Sequence, residues 1–339
     1  MIRLFFRGGV WFLLLFTGIA CQQEEISKSE GFGQGWLIDS SEVMGEVNQH
    51  FPFIDEPDYR PLPTIDADSS DLVLALKAGG QVYVYPHFTM NVEVVNDVIN
   101  RRPLAVTYCP LTGSGLLWNR VYDGDTLSFR ASGMLYRENL MPVDTAHGSI
   151  WSQMLMQCVH GRFYGRKVKT HGLIETTWAT LEQYYPEARV FASAASRQLR
   201  ADLPIYVYDI RNRSRMSQDD VADGEKMLGV ITLKQVHLFR YRHFNPGTRI
   251  IRYAGYLLVG NAQQRWINVF KDSGEFSFEP VNDTLPGVMV DDQGSRWDMF
   301  GYALNGEHEG MKLESPDFYV ARYWAWRLFF ENIRMYEED

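Results

Sequence analysis

Cysteine is scarce in this 339-residue chain, which has only three, at positions 21, 109 and 158. So few thiols exclude a disulfide-rich scaffold, and Cys109 and Cys158 form either one disulfide or two buried free thiols. Basic charge is scarce as well: 33 Lys and Arg face 42 Asp and Glu, a net charge of −9, so nucleic acid is not expected as a partner. The sequence also lacks a glycine-rich phosphate loop, a His-Glu-x-x-His zinc motif and a Gly-x-Ser-x-Gly elbow.

The apolar stretch at the N-terminus, Val10 to Ile19, is half as long as the ~20-residue run that a membrane-spanning helix needs. Arg3 and Arg7 precede it and the small residue Ala20 follows it, which is the three-part pattern of a secretory signal peptide. We therefore predict that residues 1–20 are a cleaved signal peptide rather than a retained membrane anchor.

A cysteine stands directly after the predicted cleavage site. The segment Thr17-Gly18-Ile19-Ala20-Cys21 resembles the lipobox of bacterial lipoproteins, with Gly18 where Leu or Val is usual. The resemblance implies that Cys21 carries a lipid that anchors the protein to a membrane of the bacterial cell envelope, facing the periplasm or the outside. A cleaved signal with an unmodified cysteine is the alternative. Residues 21–59 are then a lipid-anchored tether and N-terminal segment, polar and Gly-containing from Gln22 to Gly35.

The rest of the chain contains two similar halves. Both begin with two apolar strands around a short turn, Leu74–Tyr85 and Leu228–Phe239, which predicts a β-hairpin in each. Three further landmarks recur in the same order: an Asp followed by Gly-Ser-x-Trp, two glycines four residues apart, and a closing aromatic helix. They lie at 144–151 and 291–297, at Gly161/Gly165 and Gly306/Gly310, and at 177–185 and 323–331. We therefore predict a first β-rich repeat over residues 60–204, a linker over 205–225 and a second, diverged repeat over 226–339.

The elements between these landmarks are mostly strands. The first half predicts strands at Pro103–Tyr108, Gly115–Tyr122 and Thr126–Ser132, and Asp123-Gly124 between the last two is a strong hairpin signal. Helical periodicity occurs around Asn91–Ile99 and in the two closing aromatic segments. The predicted fold class is therefore mainly β, of the α+β type, with two tandem copies of a β-rich unit.

One segment distinguishes the first half from the second. Thr107 to Gly113 reads Thr-Tyr-Cys-Pro-Leu-Thr-Gly at the end of a predicted strand, whereas the equivalent place in the second half, Tyr256 to Ala262, has no cysteine. This segment and its surroundings resemble the bacterial family named domain of unknown function 3179. The matching stretches, within residues 74–192, are Tyr85-Pro86, Glu93-Val-Val-Asn-Asp97, Val106-Thr-Tyr-Cys-Pro-Leu111, Ser132-Gly-Met-Leu-Tyr136, Asn139-Leu140, Ser149-Ile-Trp-Ser-Gln153 and Thr176-Thr-Trp178. The activity of that family is unassigned, so the resemblance implies no particular reaction.

Two departures from the family pattern bear on chemistry. The pattern has a His before the position of Glu93 and a second Cys three residues after the first, but this chain has Val92 and Thr112 there. A Cys-x-x-Cys pair with a nearby His would suit a soft metal or a redox cycle. With Cys109 alone we expect that any such function has been lost, and the sequence names no metal and no cofactor.

Cys109 is the candidate catalytic residue, with Glu93 and Asp97 as candidate partners. A nucleophilic thiol needs a base within reach and a lowered pKa. The sequence offers three histidines as bases, none at a motif-like spacing: His87, His147 and His160. The alternative is that Cys109 is a small core residue where a strand ends.

Three polar residues are candidate binding residues: Asn96, Asp144 and Gln153. The first two have structural alternatives, because Asn96 can end the helix predicted from Asn91 and Asp144 can belong to a turn that both halves share. We favour a non-catalytic cell-envelope lipoprotein whose first unit binds a small molecule or a protein near Cys109 and whose second unit is a structural relic. The alternative is a redox, metal-binding or other enzyme centred on Cys109.

Overall fold

The computed structural model describes residues 35–47, 51–193, 221–282 and 285–338. The predicted signal peptide, residues 21–34 of the predicted tether and residues 205–220 of the predicted linker lie outside the described residues. Strands make up 47% of the described residues and helices 10%, so the prediction of a mainly β protein is confirmed. None of the described helices is long and apolar enough to cross a membrane.

The described part of the N-terminal half contains three sheets and one short α-helix. Its elements are β1 (Val43–Met44), β2 (Tyr59–Pro61), β3 (Leu72–Ala78), β4 (Gln81–Pro86), β5 (Val94–Ile99), β6 (Arg102–Cys109), β7 (Ser114–Asn119), β8 (Val121–Tyr122), β9 (Asp125–Thr126), β10 (Phe129–Tyr136), β11 (Asn139–Asp144), β12 (Ile150–Ser152), β13 (Gln157–His160), β14 (Thr170–His171), β15 (Ile174–Thr177), α1 (Trp178–Tyr184) and β16 (Arg189–Phe191). The sheets have the orders β15-β3-β4-β16-β2, β14-β7-β6-β5 and β1-β10-β11-β12-β13, beside the small hairpin β8-β9.

The C-terminal half contains three smaller sheets and a second short α-helix. Its elements are β17 (Lys226–Ile231), β18 (Val236–Arg240), β19 (Thr248–Tyr253), β20 (Tyr256–Asn261), β21 (Trp266–Lys271), β22 (Phe278–Pro280), β23 (Gly287–Asp291), β24 (Arg296–Asp298), β25 (Phe318–Arg322), α2 (Tyr323–Phe329) and β26 (Ile333–Met335). The sheets have the orders β25-β17-β18-β26, β19-β20-β21 and β22-β23-β24.

The first sheets of the two halves are built alike. In each, a central hairpin, β3-β4 or β17-β18, is flanked by an antiparallel strand, β15 or β25, and by a parallel strand, β16 or β26. Each antiparallel flanking strand leads directly into a helix, α1 or α2. The two predicted hairpins and the two predicted aromatic helices are therefore confirmed.

The helix predicted over Asn91–Ile99 is wrong. The chain makes one 3₁₀ turn at Met90–Val92 and then forms β5, which pairs with β6 along its whole length. The first three residues of β5, Val94–Asn96, are all buried, so the strand does not show the apolar and polar alternation by which a half-exposed strand is recognised. Asn96 and Asp97 therefore lie within a strand and do not end a helix.

The two halves share the two largest of the four described hydrophobic cores. Trp151 of the N-terminal half lies in one core with Met227 and Trp326 of the C-terminal half. In a second core, apolar residues of β3, β4 and α1 pack with Trp266 and Trp297. The other two cores each lie within one half, so the halves are joined by buried apolar contacts in addition to a smaller core of their own.

Candidate functional site

Cys109 ends strand β6 and is 1% exposed. Its thiol donates to the carbonyl oxygen of Glu138 at 3.7 Å. Burial raises the pKa of the thiol, the nearby Glu93 carboxyl raises it further, and a hydrogen bond with Thr112 opposes them only in part. The thiol is therefore protonated at neutral pH, whereas an activated cysteine nucleophile has a lowered pKa.

Cys158, the other described cysteine, is a core residue of β13 with no exposure. Its thiol donates to the carbonyl oxygens of Ile150 at 3.4 Å and His160 at 3.3 Å. Burial raises its pKa to about 12. Cys109 and Cys158 are both free thiols, so of the two alternatives the disulfide is not formed.

A buried hydrogen-bond network fills the space beside Cys109. Gln153 is at its centre: its Oε1 accepts from Ser114 Oγ at 2.7 Å and from Asn139 Nδ2 at 2.8 Å, and its Nε2 donates to Thr107 Oγ1 at 3.0 Å. The Thr112 hydroxyl lies 2.8 Å from Ser114 Oγ and accepts from Asn139 Nδ2 at 3.0 Å. All five residues are at most 1% exposed. We name them the Gln153 network, and their hydrogen bonds are made to one another rather than left for a ligand.

Glu93 is the one candidate partner that lies close to Cys109. Its backbone has φ +65° and ψ −31°, a left-handed conformation that is uncommon for a residue with a side chain. The residue keeps some exposure, yet its carboxyl is enclosed by protein, and burial raises the carboxyl pKa to about 8. At neutral pH the carboxyl is mainly protonated, so it cannot serve as a strong base for the thiol.

Asp97 and Asn96 lie elsewhere. Asp97 is opposite Leu104, five positions along β6 from Cys109, or ~17 Å away. Its carboxylate accepts from the Tyr59 hydroxyl and from the Tyr85 hydroxyl at 3.1 Å. Asn96 has no exposure, and its amide donates to the carbonyl oxygens of residue 54 at 2.8 Å and residue 129 at 2.7 Å. Both side chains connect segments of the N-terminal half.

Asp144 holds a turn together. Its carboxylate accepts from the backbone N–H of Ser149 at 3.0 Å and from the Trp151 indole at 3.4 Å. In the C-terminal half Asp291 accepts from the backbone N–H of Ser295 at 2.8 Å and from an indole, that of Trp297, at 2.9 Å. The same contacts in both halves favour a structural role for Asp144.

The histidines named as possible bases do not meet the thiol. His160 stacks on Trp36 at 4.6 Å between ring centroids, and His147 lies in the Asp144 turn. His87 is in contact with Tyr108, whose side chain lies on the opposite face of β6 from Cys109. In the described ranges, no three His, Cys, Asp or Glu side chains come close enough together to hold a metal ion.

A second set of polar groups lies where the two halves meet. Glu175 of β15 is 2% exposed and accepts from the Lys226 ammonium of β17. His87 Nε2 is 3.3 Å from the same carboxylate oxygen, Glu175 Oε2. The Tyr108 hydroxyl is 3.0 Å from His87 Nδ1, and the two rings are 4.3 Å apart between centroids. These four residues join β6, β15, β17 and the end of β4.

The Glu175 carboxylate and the Lys226 ammonium stabilise each other's charge against burial. Burial tends to raise the pKa of the Glu175 carboxyl, but the cationic groups around it, Lys226 first among them, together outweigh burial and the pKa is lowered. Burial lowers the pKa of Lys226, and the Glu175 carboxylate counteracts that effect. Burial lowers the pKa of His87 to about 4, so this imidazole is neutral at physiological pH.

Three further residues, Tyr241, Arg265 and Arg322, surround the ion pair of Glu175 and Lys226. Arg322 donates its backbone N–H to the Thr112 carbonyl at 2.9 Å, and its side chain is close enough to affect the pKa of Lys226. Arg265 lies over the Tyr241 ring, 5.7 Å from its centroid. We call the seven residues the inter-half cluster: His87, Tyr108, Glu175, Lys226, Tyr241, Arg265 and Arg322.

Comparison with known proteins identifies the family. The family model described as "Protein of unknown function (DUF3179)" matches residues 48–333. The chain belongs to this family. No curated protein and no solved structure matches the chain. The DUF3179 match includes both the Cys109 region and the inter-half cluster, and it assigns no activity to either.

The inter-half cluster is the part of this DUF3179 protein that sequence reasoning missed. Glu175 and Lys226 are 51 residues apart, so no local motif contains both. For His87, the sequence indicates only a possible base for Cys109. The sequence signal that points to this pair is the repeated hairpin. Lys226 begins β17 in the hairpin of the C-terminal half, and Glu175 lies on β15, the strand that flanks the hairpin of the N-terminal half.

Proposed function

We propose that this DUF3179 protein is a non-catalytic binding protein that a lipid on Cys21 anchors to the bacterial cell envelope. The observation that carries the proposal is the state of Cys109, a buried thiol with a raised pKa beside a saturated hydrogen-bond network. Such a thiol is suited to packing and not to nucleophilic attack, metal binding or redox cycling.

The binding part of the proposal is supported by the inter-half cluster. Buried charges are costly unless they are paired or used, and unpartnered polar atoms are rare in protein interiors. Within the cluster, four buried polar atoms have no hydrogen-bond partner among the described residues: His87 Nε2, Glu175 Oε1, Tyr241 Oη and Arg322 Nε. We place the ligand site there, on the face of β6 opposite Cys109, rather than beside the thiol.

We also propose that the two halves descend from one duplicated β-rich unit. The like order of the first sheets supports this, as do the equivalent turns around Asp144 and Asp291. Gly161 and Gly306 add support, because both halves need a glycine at this place for the same reason. A Cβ on Gly161 would lie 2.8 Å from Ser149 Cα, and a Cβ on Gly306 would lie 2.9 Å from Ser295 Cα. The second unit is not a mere relic under this proposal, since it contributes three of the cluster's four charged side chains.

The second candidate function is an enzyme centred on Cys109, and one observation favours it. Glu93 combines a left-handed backbone with a carboxyl whose pKa burial raises to about 8, next to the thiol. Strained backbone and a shifted pKa occur together at many active sites.

Thiol alkylation against pH decides between the two functions. In a soluble Cys21→Ser, Cys158→Ser variant, Cys109 is the only thiol, and we expect it to react slowly in the folded protein and fast after unfolding in urea. Rapid alkylation of the folded protein, with a midpoint below the ~8.5 of a free thiol, would support the enzyme and overturn the binding proposal. The same variant with Cys109→Ser added is the control, and it measures alkylation that does not involve Cys109.

Lipid attachment is tested by metabolic labelling. Bacterial cells fed a palmitate analogue should label the wild-type chain in the membrane fraction, and Cys21→Ser should abolish the label and release the protein. Unchanged labelling of the variant would contradict the anchor at Cys21.

A further inference from the structure

The inter-half cluster carries an excess of positive charge. Lys226, Arg265 and Arg322 face one acidic member, Glu175, while His87 is neutral because burial lowers its pKa to about 4. The chain as a whole has a net charge of −9. A local positive potential in an acidic protein attracts anions to that place and not to the rest of the surface.

The cluster is also incomplete in its hydrogen bonds. Tyr241 Oη and Arg322 Nε are buried donors without partners among the described residues, and Glu175 Oε1 is a buried acceptor without one. Glu175 is 2% exposed, so bulk water does not satisfy this atom. A small molecule that offers both acceptor oxygens and a hydrogen-bond donor would complete the hydrogen bonds of all three atoms.

Several members of the cluster keep some solvent exposure. Arg265 is an exposed residue of the β20-β21 turn, and the side chains of His87 and Lys226 are 16% and 10% exposed. A small molecule in solution can therefore contact Arg265 and part of the His87 and Lys226 side chains.

We propose that the inter-half cluster binds a small oxyanion that carries its own proton donor, of which hydrogen phosphate and phosphate monoesters are the simplest examples. The three cations and the Tyr241 hydroxyl bind the anionic oxygens, and Glu175 Oε1 accepts the O–H of the ligand. This assignment names the ligand class of the binding function proposed above. A fully deprotonated oxyanion such as sulfate is disfavoured, because it would place an oxygen without a proton against the Glu175 carboxylate.

The test is isothermal titration calorimetry at pH 6 on the soluble Cys21→Ser protein, with inorganic phosphate, glycerol phosphate and sulfate. We expect phosphate or its ester to bind at least about tenfold more tightly than sulfate, as the loss of one charge-assisted hydrogen bond predicts. Tighter binding of the ester would identify the ligand as an organic phosphate, and tighter binding of the free ion would identify it as phosphate itself.

Variants assign the site. Arg265→Gln alters an exposed side chain, so it should weaken phosphate binding about tenfold without changing the melting temperature. Lys271→Gln is the matched control, because it also removes one positive charge but from an exposed pair with Glu314. Glu175→Gln keeps the shape of the side chain and should reduce the preference for phosphate over sulfate.

Two results would overturn this inference: no phosphate or ester binding by the folded protein, or equal affinity for phosphate and sulfate. Neither result would contradict the proposal that the protein is non-catalytic, because that proposal depends on the reactivity of Cys109. Conversely, a reactive Cys109 in a protein that binds phosphate as expected would overturn the non-catalytic proposal and leave this inference intact.

Discussion

Replacing Gln153 by Leu is the sharpest test of the idea that the region beside Cys109 is a structural core. The change removes four side-chain hydrogen bonds, of 2.7, 2.8, 3.0 and 3.3 Å, from a residue with no exposure. At about 1 kcal/mol net for each bond, the free energy of unfolding should fall by ~4 kcal/mol. Burial of the Leu side chain recovers little of this free energy, because the groups around it are hydroxyls and amides.

The assay is urea unfolding of the soluble protein, followed by tryptophan fluorescence and circular dichroism. Gln293→Leu is the control, since residue 293 is exposed and the change there should alter stability by less than ~0.5 kcal/mol. A loss below ~1 kcal/mol for Gln153→Leu, with an unchanged m-value, would refute the reasoning, because it would mean that the network contributes little to the fold.

Three further outcomes are expected. Residues 60–204 expressed alone should lack a cooperative unfolding transition, as measured by calorimetry, because the two largest cores contain side chains from both halves. The stabilising contribution of Glu93 should fall as the pH rises from about 4.5 to about 8, since the unfolded Glu93 carboxyl releases its proton there while the folded one retains it, so urea titrations should show that the wild-type protein loses stability relative to Glu93→Gln over this range. Gly229→Ala should lower the melting temperature, because its Cβ would lie 2.5 Å from the Trp326 ring, whereas Gly224→Ala, with a nearest atom at 3.8 Å, should not.

Local features of the fold were predictable because their signals are local. Asp123-Gly124 forms the expected two-residue hairpin turn, with φ of 50° and 92°, and Asp-Gly is a preferred pair for a turn with two positive φ values in succession. The aromatic helices were found by the same kind of short-range pattern. The strand β5 was missed because burial of Val94–Asn96 on both faces removed the alternation that would have revealed it.

The candidate site was predictable only in part, because its geometry depends on contacts between distant segments. Sequence reasoning found Cys109 and Glu93, which the hairpin β5-β6 brings close together. It did not find Glu175 and Lys226, whose contact requires the two halves to pack against each other. It grouped Asp97 with Cys109 because the two are near in sequence, although the strand pairing separates them by five positions.

The segment from Thr107 to Gly113 of this chain has two faces, so the groups on its Tyr108 side and on its Cys109 side can act independently. Tyr108 contacts His87 in the inter-half cluster, whereas Cys109 lies in the core. The turn that follows is fixed against the C-terminal half, because a Cβ on Gly113 would lie 2.7 Å from Lys226 Cε. A second cysteine at position 112 would join the Gln153 network on the Cys109 side, so its absence removes a dithiol without changing the groups that surround Glu175. We infer that this chain can have lost redox or metal chemistry at the thiol and kept a binding function on the other face of the same strand.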